Sequence, residues 1–425
     1  MEAAQSQISE YQNQQPRDTY NIAYSIFFLL GAGNLIPWNS FVTAVDYFEY
    51  LYPDKHINKV FSVADMGSSL LVLARMMCFS SWSKLPGFKL RMNIGQALFV
   101  ITLMTAPVTD WIAQANHKTQ VKQDIGYMVI VTAVVVCGLA DGLAAGSLIG
   151  AAGELPGQYM QACIAGNASS GILVCILRIV TKASLPHSPK GLQMSTQIYF
   201  IISTFIVFMC IICSNILEKL PVIQHYQKQR TMSFKLTLPG HQNAIIDTSL
   251  SRMGSAVEPN EQPKLWDAIR NIRWTAIGIY MIFVVTLSIF PGYLTEDVKS
   301  RFFRDWYPIL QITTYNLMDF LGKSLTAIYM PKKITGATWA CFARLLLYPL
   351  FIVCVHGLKS LRSELPVVFL TATLGFTNGY LTSVLMILAP KLVPVEESET
   401  VGIVMSLFLV IGLATGSVLG WLWNI

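Results

Sequence analysis

The chain has 425 residues, of which 53% are hydrophobic and only 13% are charged. Soluble globular proteins carry about 25% charged residues, so this composition excludes a soluble globule of this size, as it excludes a disordered or disulfide-stapled chain. The net charge is +6, from 30 Lys and Arg against 24 Asp and Glu, and the basic residues form no continuous stripe that would favour nucleic acid. The sequence therefore indicates a polytopic membrane protein.

Runs of about 20 mostly apolar residues predict membrane-spanning helices, because backbone groups in lipid must form hydrogen bonds within their own segment. Residues 1–20 are polar and are predicted to form an N-terminal tail rather than a cleavable signal peptide. Eleven apolar runs follow in chain order, at 21–44, 60–80, 92–112, 125–151, 159–182, 194–217, 274–294, 308–330, 336–356, 366–389 and 400–423. The predicted fold class is an all-α polytopic membrane protein with eleven transmembrane helices.

One connection, at 218–272, is long and polar, with a short helix predicted at Leu265–Ile272. It divides the chain into six spans within 21–217 and five spans within 273–425. Its lysines and arginines favour a cytosolic side by the positive-inside rule, which places the N-terminal tail in the cytosol as well. No water-exposed segment is long enough for a soluble catalytic domain.

Ionisable residues inside the predicted spans point to a polar interior, because a charge at mid-membrane costs roughly 2.5–3.5 kcal/mol or more. These residues are Asp65, Arg75, Asp141, Arg178, Asp319, Lys323 and Arg344, with Glu154 at the end of the fourth span. A water-lined cavity accounts for this set better than a simple anchor. Arg178 and Arg344 are expected to reach a membrane interface or to pair with helix ends.

Asp319 and Lys323 have the sharpest pattern, because i,i+4 spacing places them on one helix face with the acid N-terminal to the base. Asn316 and Thr326 extend this polar stripe. The stripe offers donors and acceptors to a neutral polar ligand, such as the hydroxyls of a sugar. The alternative is an ion pair that only fixes helix packing.

Two further features allow two interpretations each. Pro37 interrupts the hydrogen bonds of the first span, and Trp38 beside it suits stacking on a planar ring, unless it faces lipid. Asp65 and Asp141 have no local partner in the sequence. They are interpreted either as proton-coupling groups or as hydrogen-bonded carboxyls buried in the bundle.

Four segments resemble the equilibrative nucleoside transporters, the plant branch in particular. They read LGAGNLIPWNSFVTA at 30–44, DFLGKSLTA at 319–327, ARLLLYPL at 343–350 and GFTNGYLTS at 375–383. The resemblance covers essentially the whole chain. It implies a two-bundle arrangement of six plus five helices, similar to the major facilitator architecture. Transport would then proceed by alternating access, with the substrate near the midplane.

The resemblance also implies roles for individual residues. Leu35 and Trp38 would line the nucleobase side of the cavity. Asp319 and Lys323 would take the ribose hydroxyls, and Asn316 would line the same cavity. Two positions depart from the family pattern: Lys323 stands where arginine is common, and Ala145 stands where many members carry a glutamine implicated in base recognition.

Residues 152–156 and 288–293 are similar to a plant subgroup that includes proton-linked members, which makes Asp141 and Glu154 candidates for proton coupling. The expected function is a carrier of purine and pyrimidine nucleosides, such as adenosine and uridine, either facilitative or proton-coupled. The alternative is a carrier of another neutral solute, such as a nucleobase or a sugar.

An enzymatic function is not expected, since only one of the six histidines borders a span. No cofactor, metal ion or obligate protein partner is implied, and the surrounding medium is the lipid bilayer. The plasma membrane is the first expectation for location and the vacuolar membrane the second.

Overall fold

A computed structural model describes residues 18–53, 55, 57–78, 87–115, 120–186, 188–228, 262–290, 303, 306–331, 333–356, 364–394 and 397–420. The regular structure of these residues is helical throughout, and they form no strand. The helices before the long connection are α1 (Ile22–Thr43), α2 (Val45–Leu51), α3 (Ile57–Cys78), α4 (Phe88–Ala115), α5 (Gln120–Gly153), α6 (Gly157–Ser184) and α7 (Pro189–Leu217). Those after it are α8 (Gln262–Ile289), α9 (Tyr307–Leu325), α10 (Ile334–Ala343), α11 (Leu347–His356), α12 (Glu364–Leu388) and α13 (Ser398–Gly420).

The helices confirm the predicted class of polytopic membrane protein. Ten described segments are long and apolar enough to cross a membrane. The predicted span at 308–330 corresponds to α9, which is 19 residues long and ends at Leu325. It is less apolar than the other ten because it carries the polar stripe. With α9 counted, eleven described segments have membrane-spanning length.

The predicted span at 336–356 is one crossing built from two helices, α10 and α11. A 3-10 turn at Arg344–Leu346 joins them. Pro349 explains this break, because proline lacks the N–H of a regular helix and its ring clashes with the carbonyl of the residue four positions earlier, Leu345.

The residues of the predicted short helix at Leu265–Ile272 are helical, but the helix is much longer than predicted. These residues form the early turns of α8, which begins at Gln262. Their polar composition hid the helix in the sequence, since this part of α8 lies before the apolar segment that begins at Ile269. Residues 229–261 of the predicted linker and residues 1–17 of the predicted tail lie outside the described residues.

Local chemistry explains where the helices start. The Asp18 carboxylate accepts hydrogen bonds from the backbone N–H groups of Ala23 and Tyr24, both at 3.0 Å. It thereby satisfies two of the free donors at the start of α1. At α7, Ser188 caps the helix by accepting from the Gly191 N–H at 3.3 Å. Proline follows at the first helical position, where its missing N–H costs nothing.

The helices form two groups that meet along α5 and α6. In the first group, α1 packs on α6 and α7, and α5 packs on α3 and α4. In the second, α8 packs on α13, and α9 packs on α12. The groups contact each other mainly through α6 with α9 and through α5 with α13. This arrangement agrees with the predicted six-plus-five architecture and places α6 between the two segments that carry the polar motifs.

The pairing of α1 with α6 requires glycine at its closest point. Gly166 of α6 lies against the Phe28 carbonyl of α1, so that a Cβ on Gly166 would overlap the Phe28 backbone. Small residues allow this approach, and dispersion contacts between the backbones replace the hydrophobic driving force that is missing in lipid.

Candidate functional site

The polar stripe of α9 forms a buried ion pair. Lys323 Nζ lies 2.8 Å from Asp319 Oδ2, and the two residues are only 8% and 6% exposed. The second carboxylate oxygen of Asp319 accepts a hydrogen bond from Asn378 Nδ2 of α12 at 2.7 Å. Both oxygens of Asp319 therefore have a partner inside the second helix group.

Backbone packing fixes the position of this carboxylate. Gly379, next to Asn378, lies against the Asp319 carbonyl, and a Cβ on Gly379 would overlap it. The same Cβ would stand 3.0 Å from the Lys323 backbone nitrogen. The contact between α9 and α12 at this level is therefore as close as two helices allow, and it fixes the backbone that carries Asp319 and Lys323.

The hydrogen-bond network continues from Asn378 to a second buried cation. Thr286 Oγ1 of α8 lies 2.9 Å from Asn378 Oδ1. Arg344 Nη2 donates to the same Thr286 oxygen at 2.7 Å and faces the Leu374 carbonyl at 3.3 Å. The expectation that Arg344 reaches a membrane interface was wrong. The residue is 4% exposed and lies at the break between α10 and α11, inside the bundle.

The α1 segment that contains Trp38 contacts α6 at the same depth at which α9 contacts α6. Asn39, next to Trp38, donates to Ser170 Oγ of α6 at 2.9 Å. Asn316 of α9 lies against Gly171, where a Cβ would be 2.8 Å from its Oδ1. Ser170 and Gly171 are consecutive, so α6 brings the α1 motif and the α9 stripe to one depth of the molecule.

Leu35 and Trp38 are both half-buried, and Trp38 packs against the hydrophobic core. Asn316 is half-buried too, and its Nδ2 lies 3.2 Å from the Cys175 sulfur of α6. Asp319 follows Asn316 by nearly one helical turn. Of the two residues that carry the predicted site, Asp319 is buried and Trp38 is half-buried.

The two candidate proton-coupling residues lie far apart. Asp141 of α5 is half-buried and accepts hydrogen bonds from Asn34 at 3.1 Å and Ser69 at 3.0 Å. Asn34 precedes Trp38 by four residues on α1, so Asp141 lies close to the candidate base site. Glu154 follows the last residue of α5, and 13 helical positions place it about 20 Å from Asp141 along the helix axis.

A cavity of about 510 Å³ opens between the two helix groups at the predicted cytosolic end. It is lined by Asn21, Tyr24, Gly157, Gln158, Gln161, Thr326, Ala327, Met330, Ile387 and Lys391. The Tyr24 hydroxyl donates to Gln161 Oε1 across its wall at 2.7 Å. Sequence reasoning missed this lining, because polar residues near the ends of membrane helices are common and indicate no cavity.

Contacts join the two groups at both ends of the molecule. At the cytosolic end, Arg91 Nη2 of α4 lies 2.7 Å from Glu399 Oε1 of α13. At the opposite end, Lys182 Nζ at the end of α6 lies 5.2 Å from the ring centroid of Trp306, next to α9. Sequence reasoning missed the ion pair because both residues fall one position outside the predicted spans.

Outside the membrane-spanning segments, a tyrosine cluster adjoins the outer end of α4. The Tyr47 hydroxyl of α2 donates to Asp110 Oδ1 at 2.7 Å. Burial and the nearby Asp110 carboxylate raise the pKa of Tyr52 to about 12. Tyr52 is thus a neutral side chain at physiological pH. Among the described residues, no group of three His, Cys, Asp or Glu side chains lies close enough together to hold a metal ion.

Comparisons with solved structures agree with the fold. The chain is similar to the major facilitator transporter FucP in its outward conformation, with a TM-score of 0.60, 14% identity and coverage of 96% of this chain and 92% of that one. It is similar to the proton:xylose symporter XylE, with a TM-score of 0.60, 12% identity and coverage of 96% and 89%. At these identities the likeness concerns the fold alone.

Sequence comparisons identify the family. The sequence model described as "Nucleoside transporter" matches residues 131–425. Equilibrative nucleotide transporter 8 of Arabidopsis thaliana is 51% identical over 411 residues, with coverage of 97% of both chains. Equilibrative nucleotide transporter 1 of the same plant is 46% identical over 410 residues, with coverage of 96% of this chain and 88% of the relative. The chain, with its two groups of membrane-spanning helices and the polar stripe on α9, belongs to the nucleoside transporter family, within the plant equilibrative branch.

Proposed function

We propose that this multi-pass membrane protein carries purine and pyrimidine nucleosides, such as adenosine and uridine, by alternating access. The base would lie beside Leu35 and Trp38, and the ribose beside Asn316, Asp319 and Lys323. One observation carries the placement: α6 brings Asn39 of α1 and Asn316 of α9 to consecutive residues, Ser170 and Gly171. These contacts support a site whose two halves meet at α6, at the junction of the helix groups.

The base side is suited to a flat, partly apolar ring. Trp38 has one part of its indole against the core and the remainder accessible. An aromatic face of this kind stacks on any nucleobase, at about 1–3 kcal/mol per base in nucleic-acid-binding proteins. Ala145 of α5 lies one turn from Asp141 and offers no amide for base recognition. We therefore expect stacking to dominate over hydrogen-bond readout of the base.

The ribose side is suited to hydroxyl groups. Asp319 accepts one hydrogen bond from Asn378 and one from Lys323 in the unliganded arrangement. A ribose with two adjacent hydroxyls can replace the Lys323 contact, donating to the carboxylate and accepting from the ammonium group. Hydrogen bonds to charged groups contribute about 1.5–3 kcal/mol each, so the exchange makes binding favourable without leaving a buried charge unpartnered.

The contacts at both ends of the molecule support alternating access. The Arg91–Glu399 ion pair and the Lys182–Trp306 contact each join the first helix group to the second. In a carrier with a rocking motion, contacts at one end break while those at the other form. The 510 Å³ cavity gives the substrate an aqueous route at the cytosolic end.

A nucleotide carrier is the second candidate, because the Arabidopsis relatives are named equilibrative nucleotide transporters. A nucleotide adds a phosphate with a charge near −2 at neutral pH. The cavity lining contains one cation, Lys391, and Lys323 is already paired with Asp319. This balance favours the neutral nucleoside.

The proposal also includes coupling of transport to protons. Asp141 is its stronger candidate, because Asn34 ties it to the helix turn that carries Trp38. Glu154, about 20 Å away along α5, would serve only as a relay toward the cytosolic end. Facilitative transport is the simpler mode, and both modes use the same substrate site. Location in the plasma membrane is proposed first and in the vacuolar membrane second; a fluorescently tagged copy distinguishes them.

The direct test is uptake of radiolabelled adenosine and uridine by purified protein in liposomes. Unlabelled uridine should compete, whereas ribose, adenine and UMP should compete at least tenfold less well. Competition by UMP equal to uridine would instead identify a nucleotide carrier, and competition by adenine or ribose alone would identify a carrier of those solutes. Uptake measured with and without an imposed pH gradient decides between the coupled and facilitative modes.

A further inference from the structure

We propose that Arg344 is a positioning residue for the substrate site. It acts through Thr286 and Asn378 to hold the Asp319 carboxylate in place while Lys323 leaves that carboxylate to contact the substrate. This inference rests on the proposed role of Asp319 and Lys323 in ribose binding. Arg344 itself touches no substrate.

A continuous chain of hydrogen bonds joins Arg344 to Asp319. Arg344 Nη2 lies 2.7 Å from Thr286 Oγ1, which lies 2.9 Å from Asn378 Oδ1, and Asn378 Nδ2 lies 2.7 Å from Asp319 Oδ1. The four residues come from α8, α9, α12 and the turn after α10. The chain thus connects most of the second helix group to one carboxylate.

The two residues at the ends of this hydrogen-bond chain determine which groups in it donate and which accept. A guanidinium only donates, and an ionised carboxylate only accepts. The Asn378 amide must therefore present its NH₂ to Asp319 and its oxygen to Thr286. The Thr286 hydroxyl hydrogen is shared between that oxygen and the Ile282 carbonyl, which lies 2.8 Å away. The Thr286 oxygen remains free to accept from Arg344.

The charge balance at the two ends gives this hydrogen-bond chain a role beyond helix packing. Two buried cations, Arg344 and Lys323, lie near one buried carboxylate, and among the described residues only Lys323 is within salt-bridge distance of it. Arg344 Nε and Nη1 have no hydrogen-bond partner in the described structure. A buried charge without a counter-charge is costly, and Thr286 and Asn378 connect Arg344 to Asp319 by hydrogen bonds, so Asp319 is the counter-charge that the two cations share.

This arrangement solves a problem of the proposed binding step. If Lys323 turned toward the ribose with nothing in its place, Asp319 would become an unopposed buried charge, and removing one partner from a buried pair is strongly destabilising. Arg344 supplies a second positive charge that does not move, since a guanidinium stays protonated in proteins. Asn378 keeps the carboxylate oriented. Lys323 is then free to exchange its partner.

Thr286 offers the cleanest test, because valine has the same shape and lacks the hydroxyl. Thr286→Val should raise the KM for adenosine uptake by about tenfold, the loss expected for a hydrogen bond in a chain that ends on charges, with Vmax changed less than twofold. Thr286→Ser restores the hydroxyl and should restore the KM. The matched control is Thr371→Val, since Thr371 is also fully buried in this group and its hydroxyl donates only to the Val367 carbonyl of its own helix, at 2.8 Å.

Thermal melting of the three purified variants shows whether each one folds. The proposal is overturned if Thr286→Val has the same KM as Thr371→Val, or if Thr286→Ser is as impaired as Thr286→Val. Arg344→Gln provides an independent arm, with the same rise in KM expected. Asp319→Asn distinguishes failure of the proposed site from failure of the role proposed for Arg344. Normal uptake by Asp319→Asn refutes the proposed site itself. Impaired uptake by Asp319→Asn together with normal uptake by Thr286→Val refutes only the positioning role of Arg344.

Discussion

Neutralising one member of the α9 ion pair should be worse than neutralising both. In Asp319→Asn the side chain keeps its shape, but its amide places an NH₂ group against Lys323 Nζ or against Asn378 Nδ2, both of which are donors. Lys323 is then a buried ammonium group, 8% exposed, without its carboxylate. In the double variant with Lys323→Gln, two neutral amides of matching size face each other.

The magnitude follows from burial. Removing one partner of a buried ion pair costs about 3–5 kcal/mol, mostly because the other charge stays behind. Replacing both partners by neutral groups is close to neutral for stability. Asp319→Asn should therefore melt several degrees below the parent protein, and the double variant should recover at least half of that loss. Neither variant should transport well, because each lacks the Asp319 carboxylate that is proposed to bind ribose.

The assay combines thermal melting in detergent with adenosine uptake in liposomes. Recovery of stability without recovery of uptake would show that the pair is retained for substrate rather than for packing. Two results would refute this reasoning. One is wild-type uptake by the double variant, which would make the pair a packing element. The other is equal melting temperatures of Asp319→Asn and the parent protein, which would mean that water reaches the pair.

Two further predictions concern the two faces of the site. Gly379→Ala introduces a Cβ against the Asp319 backbone and should cost about 1–3 kcal/mol of stability together with most of the uptake. The control Gly336→Ala, with open space around the residue, should change neither stability nor uptake. Unaltered uptake by Gly379→Ala would mean that α9 and α12 can separate freely. Trp38→Ala should raise the KM for adenosine about tenfold, in line with a stacking contribution of 1–3 kcal/mol, and Trp38→Phe should recover most of it. The control Trp339→Ala, at a position 70% exposed, should leave the KM unchanged, and an equal effect of both alanine variants would remove Trp38 from the site.

Lysine at position 323, where arginine is common in the family, changes how the cation contacts the Asp319 carboxylate. An ammonium group makes a single-point contact, here with Asp319 Oδ2 at 2.8 Å, and leaves Oδ1 to Asn378. A guanidinium in its place would tend to take both oxygens as a fork. Asn378 would then share Oδ1 with the guanidinium, whereas with lysine it is the only side chain among the described residues that donates to this oxygen.

Local periodicity was sufficient to predict the α9 ion pair, because both partners lie on one helix at i,i+4. It could not predict the partners of Arg344 or Asp141, since Thr286 lies 58 residues from Arg344 and Asn34 lies 107 residues from Asp141. Such contacts depend on which helices are neighbours, and periodicity within one span carries no information about that. The wrong expectation for Arg344 came from treating it as one residue on an isolated helix.

Hydropathy located the membrane crossings well and their ends less well. Arg91 and Glu399 fall one residue outside the predicted spans, although their ion pair is largely buried and joins the two helix groups. Helices continue beyond the apolar core of the bilayer, and a hydropathy criterion stops where the polar residues begin. The break near Arg344 had a signal in Pro349, whose effect on the carbonyl of Leu345 follows from proline geometry alone.

A structure of the protein with adenosine bound tests the central claim most directly. The account predicts density for the nucleoside between the helix groups, with the base against Trp38, the ribose within hydrogen-bond distance of Asp319, and Lys323 Nζ turned from the carboxylate toward the sugar. Adenosine bound elsewhere, with the Asp319–Lys323 pair unchanged at 2.8 Å, would contradict it.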